Sequence, residues 1–200
     1  MGYYRAGFEV VGVDIKPQPH YPFEFHQADA LTYPPEGFDA YHASPPCQGY
    51  SKATPLTTKW KHPKLIYQIH CIFFVSGRPY VIENVEGARR YLKNPTMLCG
   101  TMFGLKVWRH RWFEIEPGYV WAPFTCNHKR GSCITINPPS NARKSQGGKR
   151  DFEKEKIAMG IDWMTKEELA QAIPPAYTEY IGKFLLETVK SLPRDVRKVL

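Results

Sequence analysis

The stretch Ser44-Pro45-Pro46-Cys47-Gln48-Gly49-Tyr50-Ser51 sets a cysteine in a turn between a proline pair and a glycine, and its neighbours decide the fold. Pro45 and Pro46 end any ladder that precedes them, and Gly49 allows the chain to turn closely after them. Before the turn, Phe38-Asp39-Ala40-Tyr41-His42-Ala43 predicts a short strand. After it, residues 63–77 have helical length, with Pro63 at the start and Gly77 at the end. Pro79-Tyr80-Val81-Ile82-Glu83-Asn84-Val85 then predicts a buried strand that ends in polar groups. Strand, helix, strand, with reactive side chains at both strand ends, predicts an α/β fold whose ligands bind beyond the carboxyl ends of the strands.

Working outward, Phe8-Glu9-Val10-Val11-Gly12-Val13-Asp14 is a β-branched run ending in an acid, the pattern of another buried parallel strand. Residues 101–115 predict extended segments around Trp108-Arg109-His110-Arg111-Trp112-Phe113, and 117–150 are loop-rich. Helices are predicted over 152–160, over 165–172 with Thr165 and Glu168 as a capping box, and from Pro174-Pro175 through Lys190. The expected organisation is a core over 1–105, a small lobe over 106–150, and C-terminal helices over 151–200 that pack back on the core.

Two hundred residues with 42% hydrophobic content suit one well-buried domain. No run of about 18 apolar residues occurs and the first residues lack a secretory layout, so no membrane association and a cytoplasmic location are expected. Five cysteines without regular spacing then read as reduced thiols. The formal net charge of +8 points to a polyanionic partner, nucleic acid first. Lys129, Arg130, Arg143, Lys144, Lys149, Arg150, Lys154 and Lys156 concentrate that charge in an irregular segment.

Cys47 could be core filler, a metal ligand or a nucleophile. A thiol needs local activation to attack, and backbone N–H groups beyond a strand end can supply it. A phosphatase-type Cys-x5-Arg loop is excluded by Ala53. For metal, Cys126-Asn127-His128 with Cys133 and Cys99 offers up to four soft ligands, but there is no Cys-x2-Cys pair, so no metal site is expected.

The Pro-Pro-Cys-Gln turn, then Glu83-Asn84-Val85, then Arg109-His110-Arg111, taken in that order, resembles the DNA cytosine-5 methyltransferase family of the phage and bacterial type. Val11-Gly12-Val13-Asp14, Gln27-Ala28-Asp29-Ala30-Leu31, Leu98-Cys99-Gly100-Thr101-Met102-Phe103-Gly104 and the closing 172–182 helix also have counterparts there. The resemblance implies a Rossmann-like, S-adenosylmethionine-dependent methyltransferase sheet with a small irregular target-recognition lobe. It implies Cys47 as the nucleophile on carbon 6 of a flipped cytosine and Glu83 as the proton-holding partner of ring nitrogen 3. Arg111, and secondarily Arg109, would contact the cytosine carbonyl, Glu83 or nearby phosphate, with the flanking Trp108 and Trp112 suited to stacked, charged recognition, and Asn84 would hold the Cys47 turn. Asp14, Ile15, Asp29, Ala30 and Pro45 would line the cofactor site. Gln48, Ser51, Lys129, Arg130, Arg143 and Lys144 would contact double-stranded DNA.

The chain departs from that pattern at its start. The family opens with a strand and a Phe-x-Gly-x-Gly loop, whereas Met1-Gly2-Tyr3-Tyr4-Arg5-Ala6-Gly7-Phe8 resembles the helix that follows that loop. A gap is therefore expected between the Asp14 strand and the strand before Cys47. A start upstream, a second polypeptide supplying the segment, and a degenerate remnant are the three explanations. Val107 also replaces the family's Gln before Arg-x-Arg, and no Gly-Asn turn is recognisable near Ala172. The alternatives to the DNA enzyme are a catalytically silent DNA-binding protein and an RNA-directed cytosine-5 methyltransferase.

Overall fold

In the computed structural model, which describes residues 1–128, 133–136 and 151–192, most strands and α-helices fall where the sequence predicts regular structure. The order is α1 (Gly2–Ala6), β1 (Val11–Asp14), β2 (Glu24–Gln27), β3 (Tyr41–Ala43), α2 (Leu56–Lys59), α3 (Ile66–Ser76), β4 (Tyr80–Asn84), β5 (Thr96–Leu98), β6 (Arg111–Glu116), α4 (Phe152–Met159), α5 (Lys166–Gln171) and α6 (Pro175–Ser191). The exceptions are α2, a single turn inside the loop after Cys47, and the strands β2 and β5, for which no strand was expected.

The central sheet has the order β3-β4-β6-β5. β3 and β4 are parallel and joined through α3, while β6 is antiparallel to both β4 and β5. Residues 111–116, assigned by sequence to a separate lobe, are thus a strand in the middle of the core sheet. The strongly basic flank Arg109-His110-Arg111 masked the alternation of Phe113 and Ile115, which are both buried.

Period-two alternation sends the two faces of this sheet to two cores. Val81, Phe113 and Ile115 pack on Tyr177, Ile181 and Leu185 of α6. Tyr80 and Ile82 pack on Ile66, Ile69 and Phe73 of α3. Each such large apolar side chain, taken fully out of water, contributes roughly 1.5–3 kcal/mol. A third cluster joins Val107 and Ile136 to Met159, Ile161 and Leu169, seating α4 and α5 beside the segment that leads into β6.

α1 lies on α6, and a glycine permits the close approach: a Cβ on Gly182 would come 2.7 Å from the Cβ of Ala6. β1 and β2 pair in parallel, with Asp14 opposite Gln27, but as a separate two-stranded sheet that is not hydrogen-bonded to β3. The gap expected between the Asp14 strand and the Cys47 strand is present. Among the described residues no helix is long and apolar enough to cross a membrane.

Candidate active site

Cys47 sits in the turn leaving β3 and is partly buried. Its carbonyl accepts hydrogen bonds from the N–H groups of Tyr50 and Ser51, at 3.0 and 2.8 Å. Two residues earlier, the carbonyl of Pro45 accepts from Asn84 Nδ2 at 2.9 Å, which ties the turn to the end of β4. Asn84 Oδ1 also accepts from the N–H of Val85. On the other side, Gly87 lets the chain after β4 press on the turn, since a Cβ there would lie 2.1 Å from the Tyr50 carbonyl oxygen. Gln48 is exposed and Ser51 partly so, both flanking the thiol.

Glu83 is 6% exposed at the end of β4. Its cross-strand partner is Phe113, so Arg111 is the diagonal neighbour on the same face, and Arg111 Nε lies 2.9 Å from Glu83 Oε1. No N–H is aligned on that oxygen, so the contact is a charge pairing rather than a directed hydrogen bond. Burial raises the Glu83 carboxyl above its ordinary value, against the opposing pull of Arg111, a hydrogen bond from Ser44, and Arg109. A carboxyl held this way keeps a proton to higher pH than a solvated one.

Arg109 is turned differently. It is 4% exposed and donates to the carbonyls of Ala170 and Ile136, at 2.7 and 3.5 Å. Burial and Arg111 pull it down to about 9, while Glu83 and Cys47 lie close enough to oppose them. It stays charged, and its buried Nε is left without a hydrogen-bond partner. The expected stacking of tryptophans on these arginines is not what forms. Trp112 falls on the opposite face of β6, where Arg89 lies over it at 4.3 Å, and Trp108 stacks on His128 at 5.5 Å.

Behind Glu83 runs a polar chain that sequence reasoning missed. Tyr3 OH lies 2.8 Å from His42 Nδ1, and His42 Nε2 lies 2.9 Å from Ser44 Oγ. With the tyrosine donating to Nδ1, the ring donates to Ser44 and Ser44 donates to Glu83. Burial lowers His42 to about 4, so the ring is neutral at physiological pH. His42 and Ser44 share one face at the end of β3, which was the available signal; their link to Tyr3 spans 39 positions.

Asp14 is the last residue of β1, and Asp29 lies two residues past the carboxyl end of its partner β2. In each, Oδ1 accepts from the backbone N–H two residues on, Lys16 at 2.8 Å and Leu31 at 2.9 Å. That is the turn chemistry of aspartate, and it leaves each Oδ2 outside those bonds. Ile15 and Ala30 are exposed beside them and Pro45 is buried. Two outward carboxylate oxygens on adjacent strand ends fit a ligand presenting hydroxyl and amino donors. Lys129, Arg130, Arg143 and Lys144 lie outside the described residues.

A second cluster borders this site. The thiols of Cys99 and Cys126 and one ring nitrogen each of His110 and His128 all lie within 4.8 Å of one another. Burial pushes the Cys99 thiol up, and hydrogen bonds with His110, Thr101 and His128 bring it down to about 6. His110, which sequence reading left out of the ligand set, takes the place there given to Cys133.

No protein-family model matches the chain, and no curated protein matches it. Among solved structures, an Entamoeba histolytica methyltransferase, EhMeth, aligns at 12% identity over 76% of this chain and 78% of its own, with a TM-score of 0.48. A DNMT2 variant from Spodoptera frugiperda aligns at 11% identity over 95% of this chain and 96% of its own, with a TM-score of 0.53. At that level of identity the likeness is one of architecture, and the mixed α/β fold described above is the one this chain shares with the insect DNMT2.

Proposed function

We propose that the chain is an S-adenosylmethionine-dependent methyltransferase that modifies carbon 5 of cytosine in double-stranded DNA. The observation that carries this reading is Glu83, buried and charge-paired with Arg111, beside the Cys47 turn to which Asn84 ties its strand.

Carbon 5 of cytosine is a weak nucleophile, and covalent addition elsewhere on the ring activates it. The Cys47 thiolate forms a bond to carbon 6, and Glu83 holds a proton at ring nitrogen 3 so that the displaced electron pair reaches carbon 5. Arg111 orients the Glu83 carboxyl and faces the base carbonyl. After methyl uptake, solvent water takes the carbon 5 proton, the Cys47 thiolate leaves carbon 6, and the nitrogen 3 proton returns to Glu83 as the ring is restored. S-adenosylmethionine supplies the electrophilic methyl group, with Asp14 and Asp29 fitted to hold its ribose hydroxyls and adenine amine. The base must leave the stack to reach Cys47, and the basic 128–156 segment supplies phosphate contacts.

The test is transfer of tritium from labelled S-adenosylmethionine to duplex DNA, with transfer RNA as the competing acceptor. DNA becomes labelled, Cys47→Ala abolishes labelling, and the rate falls as pH rises through the raised Glu83 value, since the proton is then lost. Labelled RNA with unlabelled DNA would replace the substrate. Salt-sensitive DNA binding by folded protein without labelling of either acceptor would make the chain a silent DNA binder.

A further inference from the structure

Cys99, His110, Cys126 and His128 come from three separate parts of the chain. Cys99 is fully buried just after β5, His110 precedes β6, and Cys126 and His128 lie on the irregular segment that follows β6. His128 Nε2 is 3.2 Å from Cys99 Sγ and 3.1 Å from His110 Nε2. A neutral imidazole nitrogen has either one hydrogen or one lone pair, so His128 Nε2 cannot make two good hydrogen bonds at once. Four such donors within 4.8 Å of one another are poorly matched to each other. They are well matched to a cation between them.

We propose that these four side chains form a structural zinc site. Zinc takes thiolate sulfur at about 2.3 Å and imidazole nitrogen at about 2.0–2.1 Å, which sets tetrahedral edges of about 3.3 Å between nitrogens and about 3.8 Å between sulfurs. The observed 3.1 and 3.2 Å contacts lie close to such edges, and a ceiling of 4.8 Å leaves at most about 1.5 Å for side chains to close. Two cysteines and two histidines complete the coordination, so no position remains for a substrate or an activated water.

The surroundings fit this role. Thr101 Oγ1 donates to Cys99 Sγ at 3.4 Å and accepts from the N–H of Asn127 at 3.2 Å, joining a ligand on the core to the loop that brings two more. The His128 ring lies between Trp108, at 5.5 Å, and His110, at 4.7 Å. Hydrogen-bonded and packed neighbours of this kind fix ligand orientation and tune affinity. His110 is flanked by Arg109 and Arg111, so the ion would clamp the loop to the strand that carries the Glu83 partner.

The test reads metal and not methyl transfer, so it stands whatever reaction the protein performs. Full-length protein, incubated with zinc and dialysed, should retain about one zinc per chain, and its thermal midpoint should rise on zinc addition. Cobalt in its place should give tetrahedral ligand-field bands and thiolate charge transfer. Cys126→Ser and His128→Ala, both on the loop, should each weaken zinc retention against a chelating dye by at least about 100-fold. Cys71→Ser, on the exposed side of α3, should retain it. Folded wild-type protein that holds no more zinc than Cys126→Ser, or a cobalt spectrum without thiolate charge transfer, would overturn the assignment.

Discussion

Glu83 draws its chemistry from a line of side chains that ends on α1. Tyr3, His42 and Ser44 form a hydrogen-bonded line that ends on it, so its carboxyl is approached by both a cation and a neutral relay. His42 gives this line a signature in stability. The unfolded ring takes a proton below about 6.5, while the folded ring, depressed to about 4 by burial, does not. Stability is therefore complete above the unfolded value and falls as the pH drops from 6.5 toward 4, by at most about 3 kcal/mol. His42→Leu should remove that slope, and at pH 8 it should cost about 2 kcal/mol because Tyr3 OH and Ser44 lose a partner. Urea unfolding from pH 8 to pH 4.5 measures both effects. An unchanged slope in His42→Leu would place the pH sensitivity elsewhere.

At the scale of elements, the central sheet holds a second buried glutamate, on the face opposite Glu83. Glu114 of β6 is 1% exposed and accepts from His70 at 2.9 Å, Tyr80 OH at 3.0 Å and the N–H of Lys93 at 2.7 Å. Burial pushes its carboxyl up, but these three donors outweigh burial and hold it below the usual range. It thereby fastens α3 and the turn before β5 to the sheet. Glu114→Ala should destabilise the protein by about 3 kcal/mol, because it strands three donors at once. The midpoint of denaturant unfolding should fall with an unchanged slope. A loss under about 0.5 kcal/mol would mean that water replaces the carboxylate. Elements of this kind divide what the sequence shows from what it hides. β4 and α3 were legible, one from an unbroken apolar run and the other from its flanking Pro63 and Gly77. The Thr165 capping box was legible too, and it forms with both of its bonds. The pairing of Arg111 with Glu83 and the tie from Asn84 to the Cys47 turn were legible because the order of these residues along the chain carries the pattern. β6 was half hidden, since its buried Glu114 and its basic approach resemble a surface strand. The Tyr3–His42 link and the four-ligand cluster were hidden, because they join residues whose proximity depends on sheet order rather than spacing.

Across the molecule, the described residues form two sheets of unequal security. β4 and β6 have neighbours on both edges and helices on both faces, so opening their amides requires global unfolding. β1 and β2 form a two-stranded parallel pair with no hydrogen bonds to β3, and all four β1 residues are only partly buried. Two-stranded units are marginal by themselves, so this pair leans on aromatic contacts such as Tyr4 with Phe23 and Tyr21 with Phe25. The division follows function as proposed: the reactive side chains stand on the secure sheet, and the carboxylates fitted to the methyl donor stand on the other. Native-state hydrogen exchange should resolve it. Amides of Val11 to Asp14 should exchange at least about 100-fold faster than those of Val81, Ile82, Phe113 and Glu114 under conditions where the fold is intact. Saturating S-adenosylmethionine should slow the first group and leave the second unchanged, because binding stabilises only the unit whose opening releases the ligand. Equal protection of β1 and β4 without ligand would mean that the two sheets open as one, and that the site for the methyl donor is as rigid as the site for the base.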